Sequence, residues 1–244
     1  MNQITTLTFF RFTALSGKFW AFPMMQFAHT DLQKVRGQTF YKLMGSGKGL
    51  GFSPLPDWSV YSLLQIWESE NDADVFFREG AIFQKYRAHT SEIWTIYLKN
   101  ITAKGAWSGA NPFQTSEDID AENKLLAVIT RATIKVKHLP KFWSYVPRSQ
   151  NPLRGAEGLI FTKGIGEIPV VQMATFSLWE NSELMKNFAY KSAEHRGAIN
   201  KTRELNWYKE ELFARFQPYK SVGKWNGEIL MPELNFAPDA QSPS

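Results

Sequence analysis

The 244-residue chain contains no cysteine. That excludes disulfides, Cys-ligated zinc, iron–sulfur clusters, a thiol nucleophile and any thiolate-held iron. A metal could be held only by His, carboxylate, Tyr or Met. Histidine is scarce too: His29, His89, His138 and His195 are all there are. A three-His site would consume nearly all of them, whereas a single axial ligand needs one. No basic leader precedes an apolar run at the N-terminus, so no signal peptide is read. No window approaches the ~18 apolar residues of a membrane span. The expected location is cytoplasmic, with peripheral membrane contact as the other option. The formal net charge is +5, but no run of Lys/Arg resembles a nucleic-acid arm. The tail from Ala237 to Ser244 reads as disordered.

What is abundant is aromatic: nine Trp, eight Tyr and nineteen Phe. They could line a large apolar pocket or fill an aromatic core. The tryptophans also mark an internal repeat. Phe19-Trp20 matches Phe142-Trp143, Trp67-Glu68 matches Trp179-Glu180, Trp94 matches Trp207, and Trp107-Ser108-Gly109 matches Trp225-Asn226-Gly227. Between them, Phe40-Tyr41-Lys42 matches Phe161-Thr162-Lys163, and Gly80-Ala81-Ile82 matches Gly197-Ala198-Ile199. Arg11, at the end of the first strand, is paired with Arg131.

Each half reads as strand, helix, strand, strand, helix, strand. In the first, strands are expected at 7–12, 40–44, 60–67 and 93–101, and helices at 19–35 and 72–89. In the second, strands are expected at 125–134, 159–163, 172–179 and 207–216, and helices at 138–146 and 182–203. Residues 1–113 form the first repeat, 114–124 a polar linker, 125–230 the second repeat and 231–244 a tail. A βαββαβ unit is a ferredoxin-like α+β sheet with helices on one face. Two copies can cover each other's open faces, giving a duplicated, pseudo-dimeric α+β barrel.

Differences between the copies single out residues. The Gly-Ala-Ile match sets His195 opposite Arg78. Its flanks Glu194 and Arg196 suit a solvent-facing helix, while its small neighbours Ala193, Gly197 and Ala198 suit close approach of something flat or bulky. The other histidines have structural explanations at helix ends. Gly45 to Gly51 is glycine-rich but is not a phosphate loop, because it runs into Pro54, Pro56 and a strand rather than a helix. It reads as a loop at a cavity mouth. Lys42 and Lys163 recur at strand ends in both copies, either snorkelling from the sheet rim or marking a site. No nucleophile elbow occurs.

The string from Phe40 through Gly45-Ser46-Gly47-Lys48-Gly49-Leu50-Gly51 to Pro54 resembles the central signature of the spheroidene monooxygenase family, the acyclic carotenoid 2-ketolases. Thr130 to Ile134, Phe161 to Pro169, Thr175 to Trp179, Phe188 through His195 to Ile199, and Glu211 to Phe216 are similar to it as well. The resemblance spans about Phe9 to Gly227. It implies a haem-dependent monooxygenase, with haem b as cofactor, that uses O₂ and external electrons on an apolar polyene. A carbon beside the polyene would be hydroxylated twice, and the geminal diol would lose water to a ketone. The family analogy places a proximal His on a helix of one barrel half, which His195 matches as metal ligand. Arg131 is then the candidate for a haem carboxylate or the distal face; the alternative is an ion pair with Glu167 or another carboxylate. Lys42 and Ser46 join it as catalytic candidates, and Lys163 as a cofactor contact. A ferredoxin-type donor could dock on the basic surface. The other readings are a dehydratase or peroxygenase of the same fold, or a non-catalytic haem-binding protein. Substrate, donor and oligomeric state stay open.

Overall fold

The computed structural model describes residues 3–51, 53–150, 153, 155–191 and 207–234. The first repeat runs β1 (Ile4–Arg11), α1 (Leu15–Phe27), a short α2 (His29–Leu32), β2 (Gln38–Gly47), β3 (Pro56–Trp67), α3 (Glu70–Glu79), α4 (Ala81–His89) and β4 (Glu92–Gly105). The second runs β5 (Leu126–Ile134), α5 (Leu139–Gln150), β6 (Leu159–Ile168), β7 (Gln172–Trp179), α6 (Ser182–Lys191) and β8 (Tyr208–Gly223). The expected order βαββαβ thus occurs twice. The eight strands hydrogen-bond in the order β1-β3-β2-β6-β7-β5-β8-β4, a closed barrel. The duplicated α+β barrel is the fold.

Boundaries differ from expectation where local geometry intervenes. The helix expected over 72–89 is two helices, because Gly80 takes φ −59° and ψ 113° between them. A Cβ there would lie 2.5 Å from the Phe76 carbonyl oxygen, so the break needs glycine. The helix expected over 19–35 divides into α1 and α2. Strand β2 continues through Gly47, so the loop is shorter than the expected Gly45–Pro56. The tail from Ala237 onward lies outside the described residues.

The chain forms two compact units. Unit 1 comprises 1–43, 58–99 and 218–244; unit 2 comprises 44–57 and 100–217. In unit 1, β1 pairs antiparallel with β3 (Ile4↔Trp67 to Arg11↔Val60) and with β4 (Arg11↔Glu92). Seven of its eight residues are buried, because sheet and helices cover opposite faces. In unit 2, β5 pairs with β7 (Leu126↔Trp179, Thr133↔Gln172) and with β8 (Arg131↔Leu212, Thr133↔Glu210).

These registers define which residues correspond. Ile4 matches Leu126, Trp67 matches Trp179 and Glu92 matches Glu210. Two expected matches are thereby corrected. Arg131 corresponds to Phe9, not Arg11; Arg11 corresponds to Thr133. Trp94 corresponds to Leu212, while Trp207 precedes β8 and packs on Phe142. The same spacing carried into the first helix aligns Trp20 with Phe142, one residue from the dipeptide match. Phe19 is 77% exposed, whereas Phe142 is buried, which agrees with the shifted alignment.

Candidate functional site

Each unit closes one end of its sheet with a Trp-x-Gly turn held by a glutamate. In unit 1, the Glu92 carboxylate accepts from the Asn226 and Gly227 amides at 3.0 and 2.6 Å. In unit 2, Glu210 accepts from Ser108 and Gly109 at 3.1 and 2.7 Å. Ser108 and Asn226 both have positive φ, as do Gly109 and Gly227. Arg11 bonds Glu92 at 2.9 Å and lies over the Trp225 ring. Arg131 bonds Glu210 and lies 3.6 Å from Glu167, which also accepts from the Trp107 indole at 2.7 Å.

The two arginines therefore serve matching glutamates from positions two residues apart. Arg131 stands where unit 1 has Phe9, a ring stacked on Trp94 and packed against Trp225. Its side chain is 3% exposed, so its charge is tolerated only because both carboxylates meet it. Burial alone would raise the Glu210 carboxyl. The Gly109 and Ser108 amides, with Arg131, outweigh burial and hold it below the ordinary carboxylate range.

The opposite, helix-facing side of the sheets diverges more. In unit 1 it is one continuous core. Phe10 lies 4.7 Å from Tyr86 and 6.3 Å from Phe83 of α4, between ring centroids. Leu63, Tyr61, Trp67 and Tyr97 belong to the same cluster. Polar members hydrogen-bond within it: Thr8 with Thr95 at 3.0 Å, the Gln65 Nε2 to Gln38 at 2.7 Å and the Trp67 indole to Thr6 at 2.8 Å, while the Gln65 Oε1 has no partner among the described residues.

In unit 2 the corresponding face is cut down. Phe10 becomes Ala132, Leu63 becomes Thr175, Gln65 becomes Ser177 and Tyr97 becomes Arg215. Among the described residues two small clusters occur, one around Phe142 and Trp207, the other around Trp179 and Met185. Between them Thr130, in the middle of the central strand, is exposed, whereas its counterpart Thr8 is fully buried. Phe213, beside it, is 37% exposed. Gly164, paired to Thr175, adds no side chain. The Arg215 Nε is buried with no hydrogen-bond partner among the described residues, and its guanidinium lies 5.3 Å from the Phe213 ring. The face keeps the strand register of unit 1, with smaller side chains at Ala132, Thr175 and Ser177 and a cation, Arg215, whose Nε is unpaired among the described residues.

The residues singled out from sequence fall elsewhere or outside view. His195 lies outside the described residues. Arg131, Ser46 and Lys163 are on the inward face of unit 2, where Lys163 bonds Asp57 at 2.9 Å. Lys42 is in unit 1, with its ammonium 5.4 Å from the Phe40 ring. His29 bonds the Tyr41 hydroxyl at 2.9 Å, and His89 stacks on Trp20 at 4.1 Å. No group of three metal-ligating side chains occurs among the described residues. Sequence reasoning missed Ala132, Thr130, Thr175, Ser177 and Arg215. For Ala132, Thr175 and Ser177 the signal is a loss of size against Phe10, Leu63 and Gln65, and for Arg215 a change of chemistry against Tyr97; Thr130 keeps the residue type of Thr8 and gives none.

No family model matches the chain. Curated relatives do. The spheroidene monooxygenase of Cereibacter sphaeroides is 34% identical over 242 residues, covering 99% of this chain and 74% of the relative. That of Rhodobacter capsulatus is 34% identical over 226 residues, covering 92% and 94%. The chain belongs to the spheroidene monooxygenase family. As a member of that family it is an oxidoreductase of the monooxygenase class. Among solved structures, a crystal structure of aldoxime dehydratase superposes with TM-score 0.59, covering 88% of this chain and 81% of that one. At 7% identity the likeness is one of fold. Within the spheroidene monooxygenase fold, the cut-down face of unit 2 is the candidate site.

Proposed function

We propose that this protein is a haem-dependent carotenoid monooxygenase, taking an acyclic, apolar polyene with O₂ and electrons from an external donor. The observation that carries the reading is the cut-down face of unit 2 around Ala132 and Thr130. Three features make it a suitable wall for haem b. Ala132, Thr175 and Ser177 are small where unit 1 is packed, Phe213 offers an apolar ring, and Arg215 offers a cation whose Nε has no hydrogen-bond partner among the described residues. Bound there, haem would supply the activation of O₂.

His195 is the residue assigned to hold the iron. By sequence, Gly197-Ala198-Ile199 repeats Gly80-Ala81-Ile82, and in unit 1 the helix opened by that motif is the one that covers Phe10. By the same match His195 stands against Arg78, in the last turn of α3, so in sequence it immediately precedes the counterpart of the helix that covers Phe10. Arg215 would meet a cofactor carboxylate, in a bidentate geometry that suits guanidinium. Arg131, first considered for that role, is assigned to fastening the Trp107 turn, with Lys163, Ser46 and Lys42 as inward-face residues. The names of the relatives support the polyene substrate. The fold and the absence of any thiol agree with an iron ligated by histidine.

The test is the visible spectrum of the full chain purified with haem supplied. A Soret band is expected in wild type and is expected to be lost or shifted in His195→Ala. Ala132→Phe restores the unit 1 side chain and should leave the protein folded but unable to take haem. Normal haem loading in Ala132→Phe would remove the site. Ketone formation from an acyclic carotenoid, dependent on O₂ and reductant, then tests the reaction.

A further inference from the structure

Helix α1 presents to solvent a face that a folded monomer does not need. Leu15, Phe19, Phe22 and Phe27 are 71%, 77%, 57% and 69% exposed. Leu15, Phe19 and Phe22 recur at helical spacing on one stripe, and Phe27 lies beside its end. Trp58, at the start of β3 and 49% exposed, packs on Phe22 at 5.0 Å and widens the stripe. The inner side of α1 is accounted for: Trp20 and Met24 pack into the unit 1 core.

The matching helix of unit 2 shows that the fold does not require this. Carried past the strand, the β1–β5 offset sets Phe19 and Phe22 against Lys141 and Ser144 of α5, while Leu15 falls against Lys137 in the 3-10 turn before it. Lys141 and Ser144 are exposed, as in an ordinary solvated face. At that spacing the first repeat carries Phe19 and Phe22 where α5 carries Lys141 and Ser144.

Charge and area point to the occupant. No Asp or Glu occurs from Phe12 to Thr30, and Lys18 is the one charged side chain on α1. A second copy of this helix would therefore bring a like charge and no complementary carboxylate. The five exposed side chains offer on the order of 600 Å², short of the roughly 800 Å² per partner of a stable protein interface. An apolar helix lying flat, with Phe and Trp on its outer side and a lysine at its edge, suits the boundary of an anionic lipid bilayer. We propose that the outer face of α1, with Trp58, docks this protein on anionic membrane. The inference rests on the exposed face alone and stands whether or not haem binds unit 2.

The experiment is co-sedimentation of the full chain with vesicles of phosphatidylcholine alone and of phosphatidylcholine with phosphatidylglycerol. Binding to the anionic vesicles is expected, with Phe19→Glu/Phe22→Glu weaker by about tenfold or more. Lys18→Glu should narrow the difference between the two lipids. All three positions are on the surface, so unchanged circular dichroism and melting serve as the folding control. Wild type that stays in the supernatant with both vesicle types overturns the proposal. So does a double variant that binds as wild type does. Sedimentation equilibrium separates the other occupant: a wild-type dimer that the double variant converts to monomer, with no vesicle binding by either, would make the face a self-interface and overturn the proposal. The Soret spectrum of the double variant should match wild type, so failure here and failure of the haem reading are distinguishable.

Discussion

Unit 1 and unit 2 share strand register and turn geometry, yet they use the helix-facing side of the sheet in opposite ways. Unit 1 fills it with interlocked rings: Phe10 against Phe83 and Tyr86, and Trp67 against Phe76. Unit 2 keeps the strands and removes the bulk, leaving Thr130 exposed between two separate clusters. The backbone frame depends little on these side chains, because the ladders and the glutamate-held turns recur in both. Duplication allowed one copy to keep a dense core while the other gave up packing for space. Removing packed side chains from one face is expected to lower local stability, and the filled copy can compensate for it.

The comparison can be broken at its most packed point. Phe10→Ala gives unit 1 the residue that unit 2 has, at a position where three rings meet. The expected loss is about 3–5 kcal/mol, read from denaturant unfolding. A loss near zero would mean that the unit 1 core is not what distinguishes the copies. Next in size is Arg131→Met, which leaves Glu210 and Glu167 without their shared cation. About 3 kcal/mol of destabilisation is expected. The paired variant Arg131→Met/Glu167→Gln should recover part of it. The opposite result, stability unchanged and activity abolished, would return Arg131 to the reaction itself.

The smallest effect sharpens the comparison through pH. The Glu210 carboxyl is held below its ordinary range in the folded protein. Its contribution is therefore complete above the unfolded carboxylate value and is lost as pH falls through the lower folded value. Glu210→Gln should make the acid limb of the stability profile shallower by about 1 kcal/mol or less. Melting between about pH 7 and pH 2.5 measures it. Glu92→Gln in unit 1 is the matched control for a turn served by an arginine from two residues further along the strand.

Much of this frame was legible before any coordinates. The alternation of strand and helix signals and the Trp-x-Gly ends belong to local geometry, which residue types report directly; the structure adds Gly37 and Gly158 at matching turns. Both glycines have positive φ, and their carbonyls accept from Glu68 and Glu180 at 2.8 and 2.9 Å. The candidate site was not legible, for a physical reason. A loss of bulk across facing positions on three strands shows only once the sheet register is known. Arg11 and Arg131 misled because each does pair with its unit's turn-holding glutamate. The two side chains converge on one task from different places on the strand, which sequence matching reads as equivalence. Phe19 misled in the same manner, since a Phe-Trp dipeptide says nothing about which of its two rings faces inward.

The Trp107 turn has a consequence for how the chain can be cut. It is encoded at the end of the first repeat, but the glutamate that holds it, Glu210, is encoded near the end of the second. Likewise the Trp225 turn ends the second repeat and is held by Glu92 of the first. A fragment stopping at the linker would carry one turn without its latch and one latch without its turn. The halves are thus mutually incomplete as polypeptides, although each spells a whole βαββαβ motif. Two such fragments expressed together are expected to reassemble by complementation, and neither should persist alone.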